Sequence, residues 1–175
     1  MKDNYMMNSQ LVTIYLGLGT NLEDRHRNLE MALDFLAERI KIEQVSPIYD
    51  TAPVGNTNQP RFLNMAIRIS TRLPAATLLF MAKGIEAKLG RVPIDSPRPI
   101  DIDILFYGDQ VINTPPNLVV PHPRVHERAF VLVPLADIAP DFVHPVLKKS
   151  IKELRDAVEG KGEVHLFADP NKKQA

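Results

Sequence analysis

The sequence predicts an α+β sandwich in which helices pack on a mainly antiparallel sheet, and three observations carry that expectation. Short apolar runs with period-two alternation recur along the first 107 residues. Two segments between them repeat apolar residues at three, four or seven positions, the spacing of an amphipathic helix. The order strand, helix, strand, strand, helix, strand then follows. With 175 residues the chain suits one domain. Expected boundaries are a disordered tail over 1–10, one domain over 11–168 and a loose tail over 169–175.

The first strand is Leu11–Gly19, β-branched and apolar, ending in Gly17-Leu18-Gly19. Thr20-Asn21-Leu22-Glu23 reads as a capping box, with Leu22, Leu29, Leu33, Leu36 and Ile40 as the stripe of the helix it opens. A second strand is expected from Lys41 to about Tyr49. After a loop with Pro53, Gly55 and Pro60 comes a third at Arg61–Thr71, with Leu63, Met65, Ile67 and Ile69 on one face and Phe62 and Asn64 on the other. Pro74 marks a helix start, Leu78, Ala82, Ile85 and Leu89 form its stripe, and Gly90 suits its C-terminal cap. Pro99–Tyr107 is the fourth strand. This order is that of a ferredoxin-like βαββαβ sandwich. Ten of the 15 prolines fall between Pro93 and Pro145, so that region must be rich in turns. Short strands at Gln110–Ile112, Leu118–Val120 and Val164–Phe167 and helices across Arg124–Ile138 and Ser150–Val158 complete the expected C-terminal elements.

Composition excludes several classes of function. Lysine plus arginine and aspartate plus glutamate are both 21, so the net charge is zero and a broadly basic nucleic-acid binder is disfavoured. There is no cysteine, hence no disulfide, thiolate metal site or cysteine nucleophile. No run approaches a membrane span, and the polar Met1–Gln10 resembles neither a signal nor a transit peptide, so a cytoplasmic protein is expected.

The sharpest local feature is Ile100-Asp101-Ile102-Asp103-Ile104-Leu105-Phe106. Alternation puts Ile100, Ile102, Ile104 and Phe106 on one face and both aspartates on the other. Alone, such a pair is more often the solvated acidic face of a half-buried strand. Two carboxylates about 7 Å apart on one strand face also ask for a cation, and oxygen-only ligands suit magnesium or manganese. Arg91 and Arg98 precede or flank the pair, and His122 and Arg128 follow it. Acids ringed by cations fit a metal-assisted phosphate reaction. Gly17-Leu18-Gly19 is not a nucleotide fingerprint, because Leu22 replaces the next glycine of G-x-G-x-x-G and no G-K-S/T follows.

In order, Leu16-Gly17-Leu18-Gly19-Thr20-Asn21-Leu22, Tyr49-Asp50-Thr51-Ala52-Pro53-Val54-Gly55, Gln59-Pro60-Arg61-Phe62-Leu63-Asn64, Glu86 to Arg91, Pro97 to Leu105, Val120-Pro121-His122-Pro123 and Arg128-Ala129-Phe130-Val131-Leu132 resemble the segments of the 6-hydroxymethyl-7,8-dihydropterin pyrophosphokinases of folate biosynthesis. The resemblance implies transfer of diphosphate from ATP to the pterin hydroxymethyl group, giving AMP. It implies that Asp101 and Asp103 hold two magnesium ions (manganese being possible) and that Arg91, Arg98, Asp101 and Asp103 are catalytic. It assigns the nucleotide to Glu86, Arg91, Arg98, Ile104, His122 and Arg128, and the pterin to Thr51, Ala52, Val54, Phe62, Asn64 and Phe130. Partners are then small molecules, without nucleic acid or membrane, and the protein a monomer or weak homodimer.

The chain departs from the family pattern in a short loop, Val92-Pro93-Ile94-Asp95-Ser96, without tryptophan or basic residues, and in Pro99 where threonine is usual. A smaller, stiffer lid and slower turnover or weaker substrate binding are the expected result. Three other readings stand beside the transferase: a lid-shortened homologue that binds substrates but is catalytically weak, a metal-dependent phosphohydrolase, and a non-enzymatic ferredoxin-like binding module.

Overall fold

Strand β1 (Val12–Thr20) is the spine of the molecule, because it hydrogen-bonds on both sides. It is seen in a computed structural model that describes residues 10–90, 97–114 and 117–167. The other elements are α1 (Arg25–Ala37), β2 (Lys41–Val45), β3 (Tyr49–Thr51), β4 (Phe62–Thr71), α2 (Ala75–Gly90), β5 (Asp101–Tyr107), β6 (Ile112–Thr114), β7 (Leu118–Val120), α3 (Ala129–Ile138), α4 (Ile151–Ala157) and β8 (Val164–Leu166). The main sheet runs β5-β1-β4-β3-β8, with β2 also on β4, and its pairings are antiparallel. The α+β sandwich is as expected, and β6 with β7 forms a separate two-stranded sheet.

Alternation along the strands gives the sheet two faces. Ile14, Leu16 and Leu18 of β1, Leu63, Met65, Ile67 and Ile69 of β4 and Ile102 and Ile104 of β5 are buried against Leu29, Ala32 and Leu36 of α1 and Leu78, Ala82 and Ile85 of α2. On the opposite face Tyr15, Ala66, Leu105 and Phe106 pack under Leu132 and Leu135 of α3 and Ile151 and Leu154 of α4. Helix α4 opens with a capping box, in which Ser150 Oγ accepts from Glu153 N and Glu153 Oε2 accepts from Ser150 N.

Several expectations are corrected. Thr20 and Glu23 do not cap α1: Thr20 is the last residue of β1, paired with Leu63, and Asp24 accepts from Arg27 N as the cap. Leu22 and Ile40 therefore flank the helix. The single strand expected over Lys41–Tyr49 is broken at Ser46-Pro47-Ile48, where proline supplies no donor, and β2 and β3 pair with successive parts of β4. Phe106 does not share the face of Ile104. The β1–β5 register shifts, pairing Leu16 with Ile104 but Tyr15 with Phe106, so the extra residue Leu105 turns Phe106 towards α3 and α4. The strand expected at Gln110–Ile112 lies at Ile112–Thr114. Gly90 ends α2 with φ +110°, as its cap position requires. Arg91, the loop Val92–Ser96, the residues before Gln10 and those after Phe167 lie outside the described residues.

Candidate active site

Helices α3 and α4 cover part of their sheet face, and beside them a cavity of about 240 Å³ remains. Its floor is made of small residues: Gly17 and Gly19 of β1 and Ala66 of β4. Gly17 pairs with Asp103 and Gly19 with Asp101, so each carboxylate stands beside a residue without a side chain. A Cβ on Gly19 would lie 2.5 Å from Asn64 Oδ1, so only glycine lets Asn64 occupy this place. Asn64 is buried and donates through Nδ2 to Thr51 Oγ1 at 2.7 Å, which leaves Oδ1 free for a ligand.

One wall carries the acids and their cations. Arg98 Nε lies 2.5 Å from Asp101 Oδ2, but its N–H is not aligned with that oxygen. The contact is ionic without being a hydrogen bond, and Nε stays a buried donor without a hydrogen-bond partner. Burial pushes the Asp101 carboxyl up to about 6. Arg98 opposes that shift, while Asp103 and Glu86 add to it. Burial also lowers the Arg128 and His122 pKa values, against the pull of Asp103 on both. The cavity is also aromatic, with Phe62 and Phe130 each capped by an arginine: Arg98 is 5.4 Å from the Phe62 ring centre and Arg128 is 5.5 Å from that of Phe130.

The residues suit a hard divalent cation. Asp101 and Asp103 share a face, burial raises the cost of the Asp101 charge, and among the described residues no third His, Asp or Glu joins them. Two carboxylates with the remaining positions left to water and phosphate oxygens is the coordination magnesium favours.

Of the residues singled out from sequence, the cavity brings together Thr51, Ala52, Val54, Phe62, Asn64, Arg98, Asp101, Asp103, Arg128 and Phe130. It does not bring in Ile104, whose side chain is in the core beneath α1 and α2. Glu86 is buried behind β5, where Oε1 accepts from Ile102 N at 2.9 Å and both oxygens meet Lys83 Nζ at 3.0 Å. His122 stands next to the cavity wall, held by its N–H to Leu105 O at 2.9 Å. Arg91 is outside the described residues.

Sequence reasoning missed Asn21, Gln59 and Arg124. Asn21 is buried and bonds at every polar group of its side chain. Oδ1 accepts from Arg98 N at 2.8 Å, Nδ2 donates to Gln59 Oε1 at 2.9 Å and Pro60 O at 3.2 Å, and its backbone N–H reaches Arg98 O at 3.2 Å. Its signal was its place in Gly-Thr-Asn at a strand end, which was spent on the supposed helix cap.

The family profile described as "7,8-dihydro-6-hydroxymethylpterin-pyrophosphokinase (HPPK)" matches residues 15–140. A protein of Aquifex aeolicus called 2-amino-4-hydroxy-6-hydroxymethyldihydropteridine pyrophosphokinase is 40% identical over 147 residues, covering 83% of this chain and 91% of its own. One of the same name from Methylorubrum extorquens is 49% identical over 134 residues, covering 74% and 84%. The crystal structure of a Plasmodium falciparum HPPK-DHPS variant superposes with a TM-score of 0.71 over 89% of this chain, at 20% identity, and carries the fold comparison alone. This chain spans 46% of that longer polypeptide. A profile covering most of the domain and two relatives at 40% and 49% identity agree with the sheet order and the cavity: the chain belongs to the 7,8-dihydro-6-hydroxymethylpterin-pyrophosphokinase (HPPK) family.

Proposed function

We propose that the cavity beside α3 is where this pyrophosphokinase of folate biosynthesis moves a diphosphate from ATP to the hydroxymethyl group of 6-hydroxymethyl-7,8-dihydropterin. The observation that carries this assignment is one cavity holding two chemistries: an acid pair with arginines, and an aromatic slot with a fixed amide. A flat heteroaromatic ring fits between Phe62 and Phe130, with Asn64 Oδ1 and the backbone around Ala52 reading its edge and Val54 at the rim. Thr51 holds Asn64 in orientation.

Asp101 and Asp103 would hold two magnesium (or manganese) ions, which when bound neutralise the polyphosphate. Arg98 and Arg128 leave their aromatic partners or share them with the ligand, and meet phosphate oxygens with charge-assisted hydrogen bonds. Arg98 Nε already has its donor unspent. His122 Nδ1 accepts from Arg124 N, so the neutral imidazole carries its proton on Nε2 and donates from there. The pterin oxygen attacks the β-phosphorus, its bond to the α-phosphate oxygen breaks, AMP departs and the hydroxyl proton passes to solvent or phosphate. The chain positions and neutralises, and no covalent enzyme intermediate is needed. On this reading Glu86 acts from behind the strand and not on the ribose, and Arg91 remains assigned to the nucleotide by resemblance. The protein is taken to work in the cytoplasm as a monomer or weak homodimer, on small molecules without nucleic acid or membrane, and sedimentation measures its oligomeric state.

The test is AMP formation from ATP and magnesium with and without the pterin. Pterin-dependent AMP is expected. Asp101→Ala and Asp103→Ala should each remove it while the fold persists by circular dichroism. Activity retained in both variants would refute the assignment of the acids.

A further inference from the structure

Three arginines among the described residues line the cavity: Arg98, Arg128 and Arg124. Arg124 stands at the start of a short 3-10 turn, Val125–Glu127, and its backbone is fixed on both sides. Its N–H donates to His122 Nδ1 at 3.1 Å, and its carbonyl accepts from Glu127 N at 3.1 Å. The side chain is 57% exposed at the cavity wall and spends one donor, Nε, on Glu127 Oε2 at 3.1 Å. Glu127 is itself half exposed and shared with His126. That surface pair is easily exchanged, and the terminal guanidinium nitrogens of Arg124 are left for a ligand.

The surroundings favour an anion there. Arg124 lies close enough to His122 and Arg128 to act on both electrostatically, so a cluster of basic groups lines this wall. Such clustering is unfavourable by itself and becomes favourable around a polyanion. Arg124 lines the same cavity as the aromatic slot of Phe62 and Phe130 and the acid pair Asp101 and Asp103. Its reach is therefore to the phosphates nearest the pterin.

We propose that Arg124 leaves Glu127 to bind the β- and γ-phosphates of the nucleotide, the pair that departs on the pterin. The proposal rests on the functional reading above. Its test is binding, with magnesium present, of α,β-methylene-ATP, of AMP and of the pterin alone to the wild type, Arg124→Ala and Arg124→Lys.

Arg124→Ala should weaken the ATP analogue on the order of tenfold, leave AMP and pterin binding unchanged, and be partly rescued by lysine. Equal loss for the analogue and AMP would overturn the proposal, since the contact would then lie elsewhere on the nucleotide. Loss of pterin binding as well would point to a structural role and overturn it, and so would no loss at all. If the wild type forms no pterin-dependent AMP, the functional reading fails, while the ratio of analogue to AMP affinity still decides the role of Arg124.

Discussion

Gly19 shows how far a single hydrogen atom shapes this site. Replacing it with alanine puts a methyl 2.5 Å from Asn64 Oδ1, so the amide must swing off Thr51 or the two strands must part. Gly19→Ala should cost about 1–3 kcal/mol and weaken pterin binding more than nucleotide binding, as paired ligand titrations would show. Asp101 makes a prediction in pH. Its carboxyl titrates near 6 in the fold and near 3.8 when unperturbed, so between those values the native state holds the proton more tightly. Protonation of Asp101 therefore favours the fold at low pH, and this contribution is lost as pH rises through about 6. In metal-free protein the melting temperature of Asp101→Asn should gain on the wild type across that window. A difference that does not vary with pH would refute the burial argument.

At the scale of elements, Asn21 is the tie between the end of β1, the loop around Gln59 and the approach to β5. Asn21→Ala removes three side-chain bonds from the buried Asn21 to partly buried partners, so a loss of about 1–2 kcal/mol is expected, with weaker binding of both substrates. Ser150→Ala, at the cap of α4 and far from the cavity wall, should cost about 1 kcal/mol without changing either affinity. Denaturant melts of the two variants beside ligand titrations separate the effects. The strands and helices were legible from sequence wherever polar residues marked the unburied face, as in Ile100 to Ile104. The bulge at Leu105 was not, because Leu105, Phe106 and Tyr107 are all apolar and buried, and no polar residue shows which way each points. The cap of α1 was misread because Thr20 had already been taken by strand pairing, which is a long-range event. The acids and aromatics of the site were legible as residue types. Asn21 and Arg124 were not, since their meaning comes from partners distant in sequence or from a cavity wall.

The whole molecule is a sheet with one face fully roofed by α1 and α2 and the other roofed in part by α3 and α4. The placement of α3 sets the slot, because Phe130 and Val131 belong to it. Tyr49 anchors that helix to the sheet through a 2.5 Å bond from its hydroxyl to Asp137 Oδ2. Tyr49→Phe should lower stability by about 1 kcal/mol and loosen the pterin complex. Calorimetric melting and a pterin titration check both parts, and unchanged pterin affinity would show that α3 is held by its apolar face alone. The extra residue at Leu105 has one more effect. It divides β5 into two stretches with opposite phase, one addressing the ligands and one addressing the roof, while the Leu105 carbonyl at the junction keeps His122 in place. Leu105 belongs to both, lining the cavity beside Asp101 and Asp103 and packing with Phe106 under α3 and α4, so the packing of the roof and the shape of the site meet at one residue.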